Sequence, residues 1–101
     1  MRLHWTDRAR RDLLDTGRYI ALDNAVAARR WVERLRDKAR HAAANPRAGR
    51  VVPEWQCDDV REVFLKTYRI VYRVQEDGVH VLTVFEGHRL LPSDAIPDEP
   101  A

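Results

Sequence analysis

The sequence predicts an α+β fold with the element order β-α-α-β-β-β, in which an antiparallel sheet packs against a helical hairpin. Apolar residues recur with the helical period of 3.6 between about residues 7 and 44. After about residue 60 the period changes to two, which is typical of strands. The links between the last three strands are too short to hold a helix, so these strands form an antiparallel meander.

The first helix follows a short strand, Arg2–Trp5. Thr6 or Asp7 caps this helix, because a side-chain oxygen there accepts a hydrogen bond from an unpaired N–H group of the first turn. Gly17 lies on the apolar face of the helix, which indicates a close approach to a neighbouring element. The other residues of this face, with the margins of the stripe last, are Ala9, Leu13, Ile20, Leu14 and Tyr19.

Asp23-Asn24 ends the first helix and caps a second one, which runs from about Ala25 to Ala44 and ends at Asn45-Pro46. So short a connection joins the helices into an antiparallel hairpin. The apolar face of the second helix contains Ala28, Trp31, Val32, Leu35, Ala39 and Ala42, and its polar side is nearly all arginine: Arg29, Arg30, Arg34, Arg36 and Arg40.

Three strands follow, Val60–Lys66, Tyr68–Gln75 and Val79–Glu86, with a tight turn at Glu76–Gly78. One face of the middle strand is apolar and faces the helices: Tyr68, Ile70, Tyr72 and Val74. The opposite face of the sheet is expected to carry Arg61, Val63, Leu65, Arg69, Val71 and Arg73. The direction of Leu82 and Val84 depends on the strand register and stays open.

Composition indicates one domain over residues 1–91 and an extended or mobile tail over residues 92–101, which is rich in proline and acidic residues. No apolar run reaches the roughly 20 residues of a membrane span, and no signal peptide is visible at the N-terminus, so we expect a cytoplasmic protein. The lone Cys57 excludes an intrachain disulfide. We predict no metal and no cofactor. His4, His41 and His80 are interpreted as surface residues.

Charge is divided unevenly along the chain. Residues 1–50 contain 13 basic and 6 acidic residues, a net charge of +7, whereas residues 51–101 contain 5 and 10, a net charge of −5. Sixteen of the 18 basic residues are arginine, which forms bidentate contacts with phosphates and carboxylates. The basic half indicates an acidic or polyanionic partner, and the alternative is a solvated helix surface.

A polar set is expected at one end of the sheet: Glu54, Arg61, Arg69, His88 and Arg89. A carboxylate or histidine beside arginines could cleave RNA, since one group takes the 2′-hydroxyl proton and arginine stabilises the pentavalent phosphate. Structural roles are the alternative. Glu54 would neutralise Arg61, His88 would be an exposed turn residue, and Arg69 would pair across the sheet with Glu62 or Glu86.

The ordered motifs GRVVPE, VRE, YRIVYRV and VLTVFEGHRLL resemble the RelE/ParE superfamily of toxins from type II toxin–antitoxin systems. The resemblance covers nearly the whole chain, because the N-terminal WT…A…DL…YI pattern followed by an Ala- and Arg-rich helix also fits. It implies a compact β-α-α-β-β-β domain and an antitoxin that wraps the toxin with an extended, partly helical segment. ParE-type members poison DNA gyrase, whereas RelE- and YoeB-type members cleave mRNA on the ribosome.

The ribonuclease branch matches in part. Arg69 corresponds to the RelE arginine that contacts the scissile phosphate, and Arg89 to the second RelE arginine, but the RelE tyrosine has no counterpart and only Lys66 is available for its lysine pair. Glu54 and His88 fit the YoeB-type set, in which Arg89 replaces the tyrosine. If the protein is a ribonuclease, its catalytic residues are Glu54, Arg69, His88 and Arg89.

The motif set as a whole is closer to ParE-type sequences. The resemblance therefore implies a growth-inhibitory toxin that binds DNA gyrase, forms a hetero-oligomer with a cognate antitoxin and does not bind membranes. The alternatives are a ribosome-dependent mRNA interferase, with the ribosome and mRNA as partners, and a non-toxic interaction domain. Arg61, Arg69 and Arg73 would form the target-facing surface. Leu3, Trp5, Trp31 and Leu35 would bind the antitoxin.

Overall fold

The computed structural model describes residues 1–87, 91 and 94–97, and it confirms the predicted α+β fold class. A five-stranded sheet packs against two helices, and a short 3₁₀ helix, Pro46–Ala48, follows the second helix. The strands and helices are β1 (Leu3–Trp5), α1 (Asp7–Ala21), α2 (Ala25–Ala44), β2 (Arg50–Val51), β3 (Val60–Leu65), β4 (Tyr68–Gln75) and β5 (Gly78–Glu86).

Both helices begin at the predicted caps. The Thr6 hydroxyl accepts a hydrogen bond from the Ala9 N–H at 3.2 Å, and the Asn24 side-chain oxygen accepts one from the Ala27 N–H at 3.0 Å. Each bond pairs an N–H group that the first turn leaves without a partner. A Cβ atom on Gly17 would lie 3.2 Å from a methyl group of Val32, so this glycine does mark the close approach of α1 and α2.

The strand order is β1-β5-β4-β3-β2, and the sheet is mixed. The predicted meander of β3, β4 and β5 is antiparallel, but β1 pairs in parallel with β5, and the two-residue strand β2 was not predicted. Parallel pairing is possible here because α1, α2 and three further strands separate β1 from β5 in the chain. Gly78 (φ +140°) lets the Arg2 carbonyl approach closely, and Arg2 accepts from the Val79 N–H at 2.7 Å.

The register of β3 corrects one predicted face. Leu65 pairs with Tyr68 across a two-residue turn, and Arg61 pairs with Tyr72. Directly paired residues point to the same side of a sheet, so Arg61, Val63 and Leu65 lie on the helix-facing side and not beside Arg69. Glu62, which pairs with Val71, takes the place next to Arg69.

Both faces of the sheet are buried. The helix-facing core joins α1 and α2 to the sheet through Ala9, Leu13, Leu35, Ala39, Ile70, Val81 and Val84. A second core, on the other face, contains Val52, Val60, Val71, Leu82 and Ile96. Leu82 and Val84 thus point to opposite faces, and Leu82 is the extra residue of a β-bulge between the pairs Val71–Thr83 and Tyr72–Val81.

The second face is covered by residues 52–59, which we call the cover loop, and by the described part of the predicted tail. Ala95 and Ile96 are buried, and the Pro97 carbonyl accepts a hydrogen bond from Arg73 at 3.0 Å. Apolar residues of the segment predicted to be extended or mobile therefore belong to the core. Neither helix in the described part of the chain has the length and apolar character that crossing a bilayer demands.

Candidate functional site

Arg69 lies at the centre of a buried cluster of charges between the sheet and the cover loop. Its side chain is 6% exposed, and its Nε donates a hydrogen bond to Glu62 Oε1 at 2.7 Å. Nη1 and Nη2 donate to the two carboxylate oxygens of Glu54 at 2.8 and 2.9 Å, the bidentate geometry in which arginine binds carboxylates most strongly. We call Glu54, Glu62 and Arg69 the arginine cluster.

Each carboxylate of the arginine cluster is held by further contacts. Glu54 lies in a turn of the cover loop in which the Val52 carbonyl accepts hydrogen bonds from two backbone N–H groups, at 3.1 and 2.9 Å. Oε2 of Glu54 also accepts a hydrogen bond from the Leu91 N–H at 3.1 Å. The Glu62 side chain has no exposed surface, and its second oxygen lies 2.5 Å from Arg50 Nε. The cluster therefore ties together β2, β3, β4, the cover loop and the chain at residue 91.

The charges of the cluster stabilise one another. Hydrogen bonds from Arg69 lower the pKa of the Glu54 carboxyl to about 2, although burial acts in the opposite direction. The same hydrogen bonds, together with those to Glu62, raise the pKa of Arg69. A carboxylate with so low a pKa is a weak general base near neutral pH, since proton transfer is most efficient when the pKa is near the working pH.

The structure brings together two of the four residues predicted for a ribonuclease site, Glu54 and Arg69, and bonds them to each other. His88 and Arg89 lie outside the described residues, so their assignment stays a prediction. Of the structural roles considered above, pairing of Arg69 with Glu62 is the one observed, whereas Glu54 bonds to Arg69 and not to Arg61.

The predicted target-facing surface needs correction. Arg73 is buried like Arg69, and it contacts the Asp59 carboxylate at 3.8 Å as well as the Pro97 carbonyl. The Arg61 side chain is 14% exposed and donates to the Asp58 carboxylate and to three backbone carbonyls, those of residues 47, 49 and 58. The alternating pattern predicted exposed arginines because a period of two does not report which other segments cover a strand face. Here the partners come from the cover loop, from β3 and from backbone carbonyls of residues 47, 49 and 97.

The exposed feature with the shape of a binding site is a groove of about 1050 Å³ along α1 and α2, which we call the helical groove. Apolar side chains form its floor, and Leu14, on its wall, is 52% exposed. The residues that line it are Trp5, Arg10, Leu13, Leu14, Gly17, Arg18, Ala21, Ala25, Ala28, Arg29, Val32, Glu33, Arg36 and Arg40. The sequence signal for this groove was the width of the apolar stripe on α1, whose margin includes Leu14.

The predicted antitoxin-binding residues differ in their accessibility. Leu35 is completely buried in the helix-facing core and offers no surface to a partner in this conformation, so its role in antitoxin binding stays a prediction. Leu3, Trp5 and Trp31 are half-buried and pack against that core, and Trp5 also lines the helical groove. The sequence did not separate Leu35 from the accessible residues because an apolar helix face has the same pattern whether it packs against the sheet or against a partner.

The helical groove is strongly basic. Among the described residues that line it, five are arginines and one, Glu33, is acidic. Glu33 pairs with Arg36 at 3.1 Å, whereas Arg18 and Arg29 are exposed and form no ion pair with any carboxylate of the described residues. An apolar floor bordered by arginines is complementary to an amphipathic segment with acidic side chains.

We expect replacement of Arg69 by Met to lower the free energy of unfolding by about 3–5 kcal/mol, because Glu62 is then a buried charge without its main partner. Arg50→Met is the matched control. It removes the other arginine bonded to Glu62, but Arg50 is 57% exposed, so we expect a loss of about 1 kcal/mol or less. Urea denaturation of both variants measures the difference, and equal losses would contradict the structural role of the cluster.

Ionisation of Glu54 makes the free energy of unfolding depend on pH in the acid range. Its pKa is lower in the folded chain than the ordinary value of 4.5, so its contribution is complete above about pH 4.5 and is lost as the pH falls towards 2. Its side chain is 29% exposed, and after allowance for solvent screening we expect a contribution on the order of 2 kcal/mol. Glu54→Gln should therefore flatten the stability profile between pH 5 and pH 2, and an unchanged profile would contradict this assignment.

Comparisons with known proteins agree with the fold and with the motifs. The family model of the ParE toxin of type II toxin–antitoxin systems, parDE, matches residues 3–91. A candidate toxin of Sinorhizobium fredii, Y4kP, is 37% identical over 93 residues, which cover 90% of this chain and 93% of that protein. A solved chain of the chromosomal ParDE system from P. aeruginosa has the same fold, with a TM-score of 0.69 and 24% identity over 85% of this chain and 95% of that chain. The chain therefore belongs to the ParE family of toxins from type II toxin–antitoxin systems.

Proposed function

We propose that this ParE-family chain inhibits growth by binding DNA gyrase in the cytoplasm, and that a cognate antitoxin neutralises it by occupying the helical groove. Binding, and not chemistry by the toxin itself, is the mode of action in this proposal. The family membership supplies the expectation of an antitoxin partner.

The pairing of Arg69 with Glu54 and Glu62 is the observation that favours binding over RNA cleavage. A ribonuclease of this superfamily would need an arginine free to stabilise the phosphate and a base able to take a proton. Three N–H groups of Arg69 already donate to carboxylates inside the chain. Glu54, the candidate base, has its pKa lowered to about 2 by the same contacts.

The helical groove is the surface that best fits an antitoxin. Its floor offers apolar surface to the apolar face of a helix, and its arginines offer charge to acidic residues on the edges of that helix. A groove of this kind fits the extended, partly helical segment that the family resemblance implies. Basic charge at the groove also speeds the encounter with an acidic partner.

We expect Arg29→Glu to weaken binding of the antitoxin at least about tenfold, because it places a like charge opposite the acidic residues of the partner. Arg30→Glu is the matched control, since Arg30 is the adjacent exposed arginine and does not line the groove. Calorimetry with the product of the neighbouring open reading frame measures both affinities.

A second matched pair tests the apolar floor. Leu14→Asp, in the groove, should weaken antitoxin binding, whereas Leu22→Asp should not, because Leu22 is 82% exposed and lies outside the groove. If Arg29→Glu and Leu14→Asp both bind as tightly as the original chain, the antitoxin occupies another surface.

The target is tested by inducing the chain alone in bacteria and assaying the purified chain against gyrase. We expect growth arrest that the neighbouring gene relieves, filamentation, an SOS response, intact mRNA and inhibition of DNA supercoiling. Glu54→Gln should retain all of these effects, because Glu54 has a structural role and no catalytic one in this proposal. Because Glu54→Gln also weakens the cluster, its fold is checked first at neutral pH.

Two other outcomes would reject the gyrase proposal. Cleavage of mRNA within minutes of induction, abolished by Glu54→Gln, would identify a ribosome-dependent mRNA interferase instead. Normal growth on induction would leave a non-toxic interaction domain, and binding of bulk DNA or RNA that weakens steeply with salt would then indicate a nucleic-acid partner, because phosphate contacts release counterions.

A further inference from the structure

The edge of the sheet where β1 meets β5 carries a cluster of two histidines and an aspartate, far in sequence from one another. His4 and His80 are register partners in the parallel β1–β5 pair, so their side chains lie side by side on the same face. Asp77 stands in the turn between β4 and β5. His80, which the sequence suggested was a surface residue, is only 8% exposed.

The ring nitrogens of the two histidines lie next to the carboxylate of Asp77. The imidazole rings of His4 and His80 stack with centroids 4.4 Å apart and planes inclined by 20°. His80 Nε2 lies 2.8 Å from one carboxylate oxygen of Asp77, and His4 Nε2 lies 3.6 Å from the other. One ligand atom from each residue can be chosen so that all three lie within 4.8 Å of one another, and in the described part of the chain this is the one such group.

We propose that His4, Asp77 and His80 form a binding site for a divalent first-row transition metal such as Zn²⁺ or Ni²⁺. Two imidazole nitrogens and a carboxylate are a ligand set that these ions favour, and a three-ligand site leaves a position for water. Metal–ligand distances near 2.1 Å require the ligand atoms to close in by small rotations. His4 and Asp77 have room for these rotations, since their side chains are 36% and 60% exposed.

The surroundings are compatible with a cation. Arg73 is the register partner of His80 on β4, but its guanidinium contacts the Asp59 carboxylate and the Pro97 carbonyl. The metal would connect the three-residue edge strand β1 to the turn between β4 and β5. The bound ion therefore stabilises the attachment of the N-terminus to the sheet, and this effect is independent of the toxin's target.

The test uses the untagged full chain, because a polyhistidine tag would bind the same ions. We expect calorimetric titration with Zn²⁺, and separately with Ni²⁺, to give one ion per chain. Saturating Zn²⁺ should raise the unfolding midpoint by more than about 5 °C relative to the chain in EDTA, since an ion that binds only the folded state stabilises it by mass action.

His4→Gln and His80→Gln should each lower the affinity for Zn²⁺ at least about tenfold and remove most of the midpoint shift. His41→Gln is the matched control, because His41 is exposed on α2 and remote from the cluster. This variant should bind Zn²⁺ with the affinity of the original chain. Asp77→Asn is a milder second variant that keeps the size of the side chain, and it should also weaken binding.

The proposal is overturned if the chain binds no stoichiometric ion. It is equally overturned if His4→Gln and His80→Gln bind Zn²⁺ as tightly as the original chain, because the ion then sits elsewhere. Unfolding midpoints of all variants in EDTA separate a loss of metal binding from a loss of the fold itself.

Discussion

The buried pairing of Arg69 with Glu54 and Glu62 is the interaction on which the second face of the sheet depends. A charge with 6% exposure is tolerated only when its hydrogen bonds are satisfied, and here two carboxylates from different parts of the chain satisfy them. The cover loop is held because Glu54 reaches Arg69, and the chain at Leu91 is held because its N–H donates to Glu54. With this loop in place, Val52 and Ile96 close a second core over β3, β4 and β5.

The arginines of the strands and those of the helices have different surroundings. The arginines of the strands have partners inside the chain, so their charge serves the fold. Five arginines of the helices border an open apolar groove, and two of them, Arg18 and Arg29, are exposed and form no ion pair with a carboxylate of the described residues. The basic first half and acidic second half of the chain follow this division, because the acidic residues of the second half supply several of the partners of the strand arginines.

The elements were predictable because they depend on local patterns: caps at Thr6 and Asn24, a break at residues 23–24, and a period of two after residue 60. It was harder to predict which face of the sheet each strand residue lies on. A strand β3 that ends at Leu65 and not at Lys66 shifts the register with β4 by one residue, which moves the side chains of β3 to the opposite face and explains why Arg61 was misplaced. Of the four candidate catalytic residues, two were correctly expected to lie close together, although their low-pKa pairing was not foreseen.

By itself the sequence determined the fold class, the two amphipathic helices, the meander and the family, since each follows from periodicity or from an ordered set of motifs. Only the tertiary structure decided what the arginines of YRIVYRV do. Periodicity reports which residues share a face, but not what covers that face, because the cover comes from residues 52–59 and 94–97, which have no period of their own. The strand for which the sequence predicts a target-binding surface is therefore interior, and the arginines that border the helical groove lie on the helices.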